Sequence, residues 1–160
     1  MQKQDQFSFL NPGQLVDGDL ELVLVKTNPY DPLTRWVPDY HFEMRHPDST
    51  TVLGTIRLRI GVPESVRVAG NIGYDVKEEF RGRHYAERSC RLLFPLAYAH
   101  GLKQVFLNVD PNNIPSMRTC ERLGARRLET IHIKKDHPTY TQGTRYHRRY
   151  YVDLEKELGK

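Results

Sequence analysis

The chain has 160 residues, 38% of them hydrophobic and 28% charged, with a formal net charge of +4. These values fit one ordinary domain that closes its own core, and they exclude wholesale disorder. Cys90 and Cys120 form no CxxC pair and no histidine falls in an HExxH spacing, so neither a disulfide framework nor a metal site is expected.

Residues 1–18 are polar, rich in Gln, Asp and Gly, and read as a loose lead-in without an apolar stretch of secretory length. In LELVLVKT (20–27), Leu20, Leu22 and Leu24 share one face, which is the pattern of a strand. The segment 28–40 sets Pro29, Pro32 and Pro38 beside Tyr30, Trp36 and Tyr40; it cannot be regular helix and reads as an ordered loop. Strands follow over 40–46 and 51–61. The second of them sets Val52, Ile56, Leu58 and Ile60 against Thr55, Arg57 and Arg59.

A further strand spans 68–76, and the turn after it contains Arg81-Gly82-Arg83-His84. An amphipathic helix is predicted from Arg83 to His100, with Tyr85, Ser89, Leu92, Leu93, Leu96 and Ala97 in one stripe. Gly101 is its expected stop, and Pro95 is expected to kink it. Then come a strand over 103–110, a helix capped by Asn113 and ended before Gly124, and strands over 126–135 and 145–155. The order predicts a mixed sheet with a parallel crossover between the 68–76 and 103–109 strands. The longest apolar run, Leu92 to Ala99, is too short for a bilayer, so a cytoplasmic protein with reduced thiols and no membrane partner is expected.

The basic turn carries the chemistry. A helix start offers unpaired N–H groups and the positive end of the helix dipole. Gly82 lets the backbone approach a ligand closely, and Arg81 and Arg83 add forked cations that match phosphate oxygens. The local alternative is a charged helix start on a solvated face.

The surrounding motifs resemble the GNAT superfamily of N-acetyltransferases. There, R/Q-x-x-G-x-G/A holds the pyrophosphate of acetyl-CoA; the matching run here is Arg81-Gly82-Arg83-His84-Tyr85-Ala86. NNIPSMRTCERLGA is similar to the N-x-x-S-x-x-x-x-E-x-x-G segment of the branch that resembles the ribosomal-protein N-terminal enzymes. GNIGYDV resembles the strand before the pyrophosphate loop and RRYYVDL the closing strand, so the likeness runs over residues 50–154.

The resemblance implies an α+β fold, a twisted mixed sheet of about seven strands with helices on both faces, splayed between the strands 68–76 and 103–109. It implies direct transfer of an acetyl group from acetyl-CoA to a primary amine of a small molecule or peptide. The N–H of Val76 would polarise the thioester carbonyl, and Asn113 and Ser116 would contact the pantetheine arm or its phosphate. Asp75, Asn71 (through water) and Glu43 are candidate bases or water-holders, with Tyr74 as a positioning or acid group. Two departures stand out: His84 replaces the loop's central glycine, and Cys120 occupies the place of the tyrosine that many members use as general acid. They leave a non-catalytic acyl-CoA-binding relative as the alternative. No nucleic-acid motif is present, so no such partner is expected, while exposed edges are compatible with a homodimer.

Overall fold

Alternation of apolar residues builds the first sheet. The computed structural model describes residues 7–160. Strands β1 (Leu15–Asp17), β2 (Leu20–Asn28), β3 (Asp39–Arg45), β4 (Val52–Arg59) and β5 (Ile72–Val76) pair antiparallel in that order. Leu20, Leu22, Tyr40, Phe42, Met44, Ile56, Leu58 and Ile72 are buried in the core. Because side chains alternate, the opposite face receives His41, Arg57 and Gly73 in one cross-strand row, and Glu43, Thr55 and Asp75 in the next.

The lead-in expected over 1–18 is corrected where it is described. Residues 15–17 form β1, and the Leu10 N–H donates to the Tyr40 hydroxyl at 2.8 Å. Arg88 pins the β1–β2 turn by donating to the Asp17 and Asp19 carboxylates at 2.8 and 2.7 Å. Residues 1–6 lie outside the described residues.

Helix α1 (Tyr85–Ala99) follows β5 and runs on through Pro95; Leu93, Phe94, Leu96 and Ala97 around the proline are buried. Helix α2 (Ile114–Arg122) starts at its predicted Asn113 cap, whose side chain accepts from the Ser116 N–H at 3.2 Å. The second sheet has strand order β6 (Gln104–Val109), β8 (Tyr146–Asp153), β7 (Arg126–His132), again antiparallel. Two four-residue helices, α3 (Pro138–Thr141) and α4 (Leu154–Glu157), were not foreseen, because so short a turn shows no period. One hydrophobic cluster joins both sheets through α1.

The single mixed layer predicted from sequence is divided by its hydrogen bonding into these five- and three-stranded halves. The parallel pairing expected between β5 and β6 is reduced to a clasp at Asn71. Its N–H donates to the Phe106 carbonyl at 2.7 Å, and its Oδ1 accepts from the Phe106 N–H at 2.9 Å. Its Nδ2 donates to the carbonyls of Arg59 and Gly61 at 3.0 and 3.2 Å. Gly70 permits this approach: its φ is 76°, and a Cβ there would sit 2.8 Å from the Phe106 oxygen. Beyond the clasp the two strands separate, which is the expected splay.

Candidate active site

The pairing of β5 with β4 determines what faces the gap. Arg59 N–H donates to the Asn71 carbonyl and Lys77 N–H to that of Leu53, so odd-numbered residues of β5 turn their backbone groups toward β4. The N–H and C=O of Ile72, Tyr74 and Val76 therefore point toward β6. The Val76 carbonyl is taken by the Nε of Arg81 at 2.9 Å, leaving the Val76 N–H as a donor aimed into the opening.

A cradle of amides lies at the next turn. Arg81 N–H donates to the Glu78 carbonyl and Arg88 N–H to that of His84; among the described residues, the amides of residues 82–87 between them donate to no acceptor. An ordinary helix leaves only its first four amides unpaired. Here the run extends back through Gly82, because Gly82 (φ 90°) and His84 (φ 61°) both take left-handed conformations on either side of Arg83. Such alternation converges successive N–H groups into an anion-binding concavity. His84 thus pays the conformational cost that a glycine would not, roughly 1–2 kcal/mol. Tyr85 and Ala86 are buried and fix the helix end against the core, while Arg81, Arg83 and His84 are exposed at its mouth.

Across the gap, the Tyr74 hydroxyl meets Ser116 Oγ at 2.7 Å, so both are already engaged with each other. Burial pushes the Tyr74 phenol up, with Cys90 and Cys120 adding to the shift and Ser116 opposing it. Asn113 stands exposed as the α2 cap. Cys120 is fully buried, and burial pushes its thiol up to about 12; it faces the core and has no route to act as an acid. Asn71 is spent on the clasp, so the expectation that it holds a catalytic water is overturned. Asp75 is largely exposed, with Arg81 3.9 Å away, and Glu43 is ion-paired to Arg45 (Nε to Oε1 3.0 Å).

The polar face of the first sheet holds a group that sequence reading passed over. A cavity of about 300 Å³ is lined by His41, Glu43, Thr55, Arg57, Arg59 and Gly73, among others. His41 Nε2 lies 3.2 Å from Asp39 Oδ1, and Arg57 Nη2 lies 3.2 Å from His41 Nδ1. Asn28 Nδ2 donates to Asp39 Oδ1 at 2.8 Å and also lies 3.1 Å from His41 Nε2, so the ring stands between two donor groups, Asn28 at Nε2 and Arg57 at Nδ1, with the Asp39 carboxylate beside Nε2. Burial, followed by the Arg57 charge, holds the imidazole below its ordinary value. Arg59 is brought down to about 10 by burial and by Arg57, and among the described residues its guanidinium donates only to the Ala69 and Gly70 carbonyls. A Cβ at Gly73 would stand 3.2 Å from the Arg59 guanidinium, which would then have to give by a few tenths of an ångström. The alternation in YHFEMR and TIRLR was legible, but which residues meet across strands was not.

Residues 25–126 match the acetyltransferase (GNAT) domain. The chain belongs to the GNAT acetyltransferase family. Solved structures agree in fold. A protein from Vibrio cholerae described as a ribosomal-protein-serine acetyltransferase has a TM-score of 0.64 at 16% identity, over 90% of this chain and 99% of that one. A GNAT-family protein from Chromobacterium violaceum, described as an acetyltransferase, has a TM-score of 0.66 at 13% identity, over 94% and 91%. The Microcin C7 self-immunity acetyltransferase MccE, solved with acetyl-CoA and AMP, has a TM-score of 0.56 at 15% identity. This chain spans 61% of MccE, with 72% of its own residues aligned. No curated protein matches the sequence significantly.

As a GNAT acetyltransferase, the chain departs from its family in ways the geometry explains. His84 adopts a left-handed backbone conformation of the kind glycine takes at no cost. Cys120 of α2 is a core residue, and the Tyr74 phenol arrives beside Ser116 of the same helix from β5. Among the described residues no helix is long and apolar enough to cross a membrane, and no cluster of side chains is arranged to hold a metal ion.

Proposed function

We propose that residues 1–160 act as one acetyl-CoA-dependent N-acetyltransferase unit, moving an acetyl group to a primary amine of a small molecule or peptide by direct attack in a ternary complex. The observation that carries this reading is the run of free amides at residues 82–87, opening α1 directly beside the gap between β5 and β6. These residues fit the coenzyme: a pyrophosphate needs converging donors and cationic forks, and Arg81, Gly82, Arg83, His84, Tyr85 and Ala86 supply them. The free N–H and C=O groups of β5 offer a pantetheine amide the pairing an added strand would receive. Among the described residues the Asn113 Nδ2 donates to no acceptor, while Ser116 acts through Tyr74.

Acetyl-CoA supplies a thioester whose carbonyl carbon accepts the amine nitrogen. The Val76 N–H donates to the carbonyl oxygen as negative charge grows there. A thiol resembling cysteine, pKa about 8.5, leaves at neutral pH with little help, so the loss of the family tyrosine is tolerable. Burial keeps the Tyr74 phenol neutral and able to donate toward the departing sulfur. Cys120 has no part in this scheme. The two free, buried cysteines accord with a reducing, cytoplasmic location, and the outer strands β1 and β7 offer edges on which a homodimer would form.

The test is thiol release from acetyl-CoA across a panel of amines, with calorimetry for the coenzyme. Turnover with at least one amine is expected. Tight coenzyme binding with no turnover on any amine favours the non-catalytic alternative, and no binding sinks both.

A further inference from the structure

The cavity on the polar face of the first sheet is electrostatically incomplete. Arg57 and Arg59 lie two residues apart on one side of β4 and repel one another. Among the described residues neither has a carboxylate within ion-pair reach; Arg57 leans on His41, and Arg59 on two backbone carbonyls. Glu43, on the same wall, is committed to Arg45. Lys26 adds a third positive charge near His41, against Asp39 alone. Two adjacent guanidiniums in a pocket, without a partner anion, form a receptor for carboxylate or phosphate oxygens. The pocket shares β5 with the gap, through Gly73 and Tyr74.

We infer that this cavity is the acceptor pocket, that it takes an amine bearing a carboxylate or phosphate, and that the anion draws Arg57 off His41, freeing Nδ1 as proton acceptor. The inference rests on the acetyltransferase reading above. The Asp39 carboxylate beside Nε2 favours a proton on that nitrogen, and once Arg57 swings away Nδ1 is the ring nitrogen left to accept a proton from the pocket. The acceptor's ammonium gives one proton to Nδ1. The neutral amine then forms the C–N bond as the C–S bond breaks, and the nitrogen's remaining surplus proton ends on the departing sulfur. The same guanidiniums favour the neutral amine by repelling its charged form. An amine without an anion leaves Arg57 bonded to the ring, and the base stays blocked.

The test uses the full chain with 4-aminobutanoate, 3-aminopropyl phosphate and, as neutral control, butylamine. Binding is followed by NMR of the histidine ring nitrogens, and folding by the rise in Tm with acetyl-CoA. Either or both anionic amines are expected to bind at least about tenfold tighter than butylamine and to shift the His41 ring signals; which one prevails separates carboxylate from phosphate. Arg57→Gln should erase the preference while keeping the acetyl-CoA shift; if that variant misfolds, Arg57→Lys, which keeps the charge but loses the fork, takes its place. His41→Gln should lower kcat/KM with the preferred amine on the order of 100-fold and abolish the acidic limb of its pH profile. Equal binding of all three amines, with acetyl-CoA still bound, overturns the acceptor pocket alone. An unchanged pH profile in His41→Gln overturns the role of the base. Failure of acetyl-CoA to bind overturns the parent reading as well.

Discussion

Asn71 and the turn at 82–87 treat the backbone in opposite ways. At Asn71 every side-chain amide group is bonded, and the residue is 1% exposed. In the turn at 82–87, successive amides have no partner among the described residues. The first arrangement seals the base of the two sheets; the second holds donors ready at the rim of the same opening. Unpaired buried N–H groups are costly and rare in folded proteins, whereas at a solvated helix start they are cheap.

The comparison breaks most sharply at the clasp. Asn71→Leu leaves the Phe106 N–H and the carbonyls of Arg59 and Gly61 without their partner, at about 1–3 kcal/mol each. Chemical denaturation should therefore show a loss of several kcal/mol, and unchanged stability would mean the clasp is not what joins the sheets. The cradle should respond in the other currency. Arg81→Ala is expected to weaken coenzyme binding at least tenfold in calorimetry while leaving the unfolding midpoint nearly unchanged, since the side chain is exposed and a charge-assisted bond is worth about 1.5–3 kcal/mol. His84→Gly should stabilise the chain by about 0.5 kcal/mol, because relief of the left-handed strain outweighs the greater freedom of the unfolded glycine.

Acid should distinguish the two regions less directly. Burial holds His41, His100 and His147 below the ordinary histidine value of 6.5, so the unfolded chain binds more protons than the folded one. Their contribution is complete above pH 6.5 and declines as pH falls through the folded values. Thermal melts across pH 5–8 should show Tm falling on the acid side, and His100→Phe should flatten that fall. The smallest effect belongs to Cys120→Ala: a core thiol raised to about 12 has no catalytic duty, so the pH profile of turnover should not change.

Much of this was legible in the residues. LELVLVKT, YHFEMRH and TVLGTIRLRIG declare strands by their alternation, and Asn113 and Gly124 bracket α2 as caps should. The Arg81-Gly82-Arg83-His84 turn was legible as an exposed basic turn leading into a helix. What escaped depends on register and on distant partners. Asn71 read as a candidate to hold a catalytic water, and only the meeting with Phe106 makes it a clasp. His41 and Arg57 lie 16 positions apart, and nothing short of the β3–β4 pairing brings the imidazole to the guanidinium. Strand 68–76 was read four residues too long, because the apolar pattern ignores Gly70, whose positive φ ends regular pairing.

The most direct measurement is amide NMR of the chain as acetyl-CoA is added. Saturable shifts should concentrate on the N–H groups of residues 82–87 and on that of Val76, with the Asn71 and Phe106 amides unmoved. Binding that leaves residues 82–87 unperturbed, or no binding at all, would contradict the account.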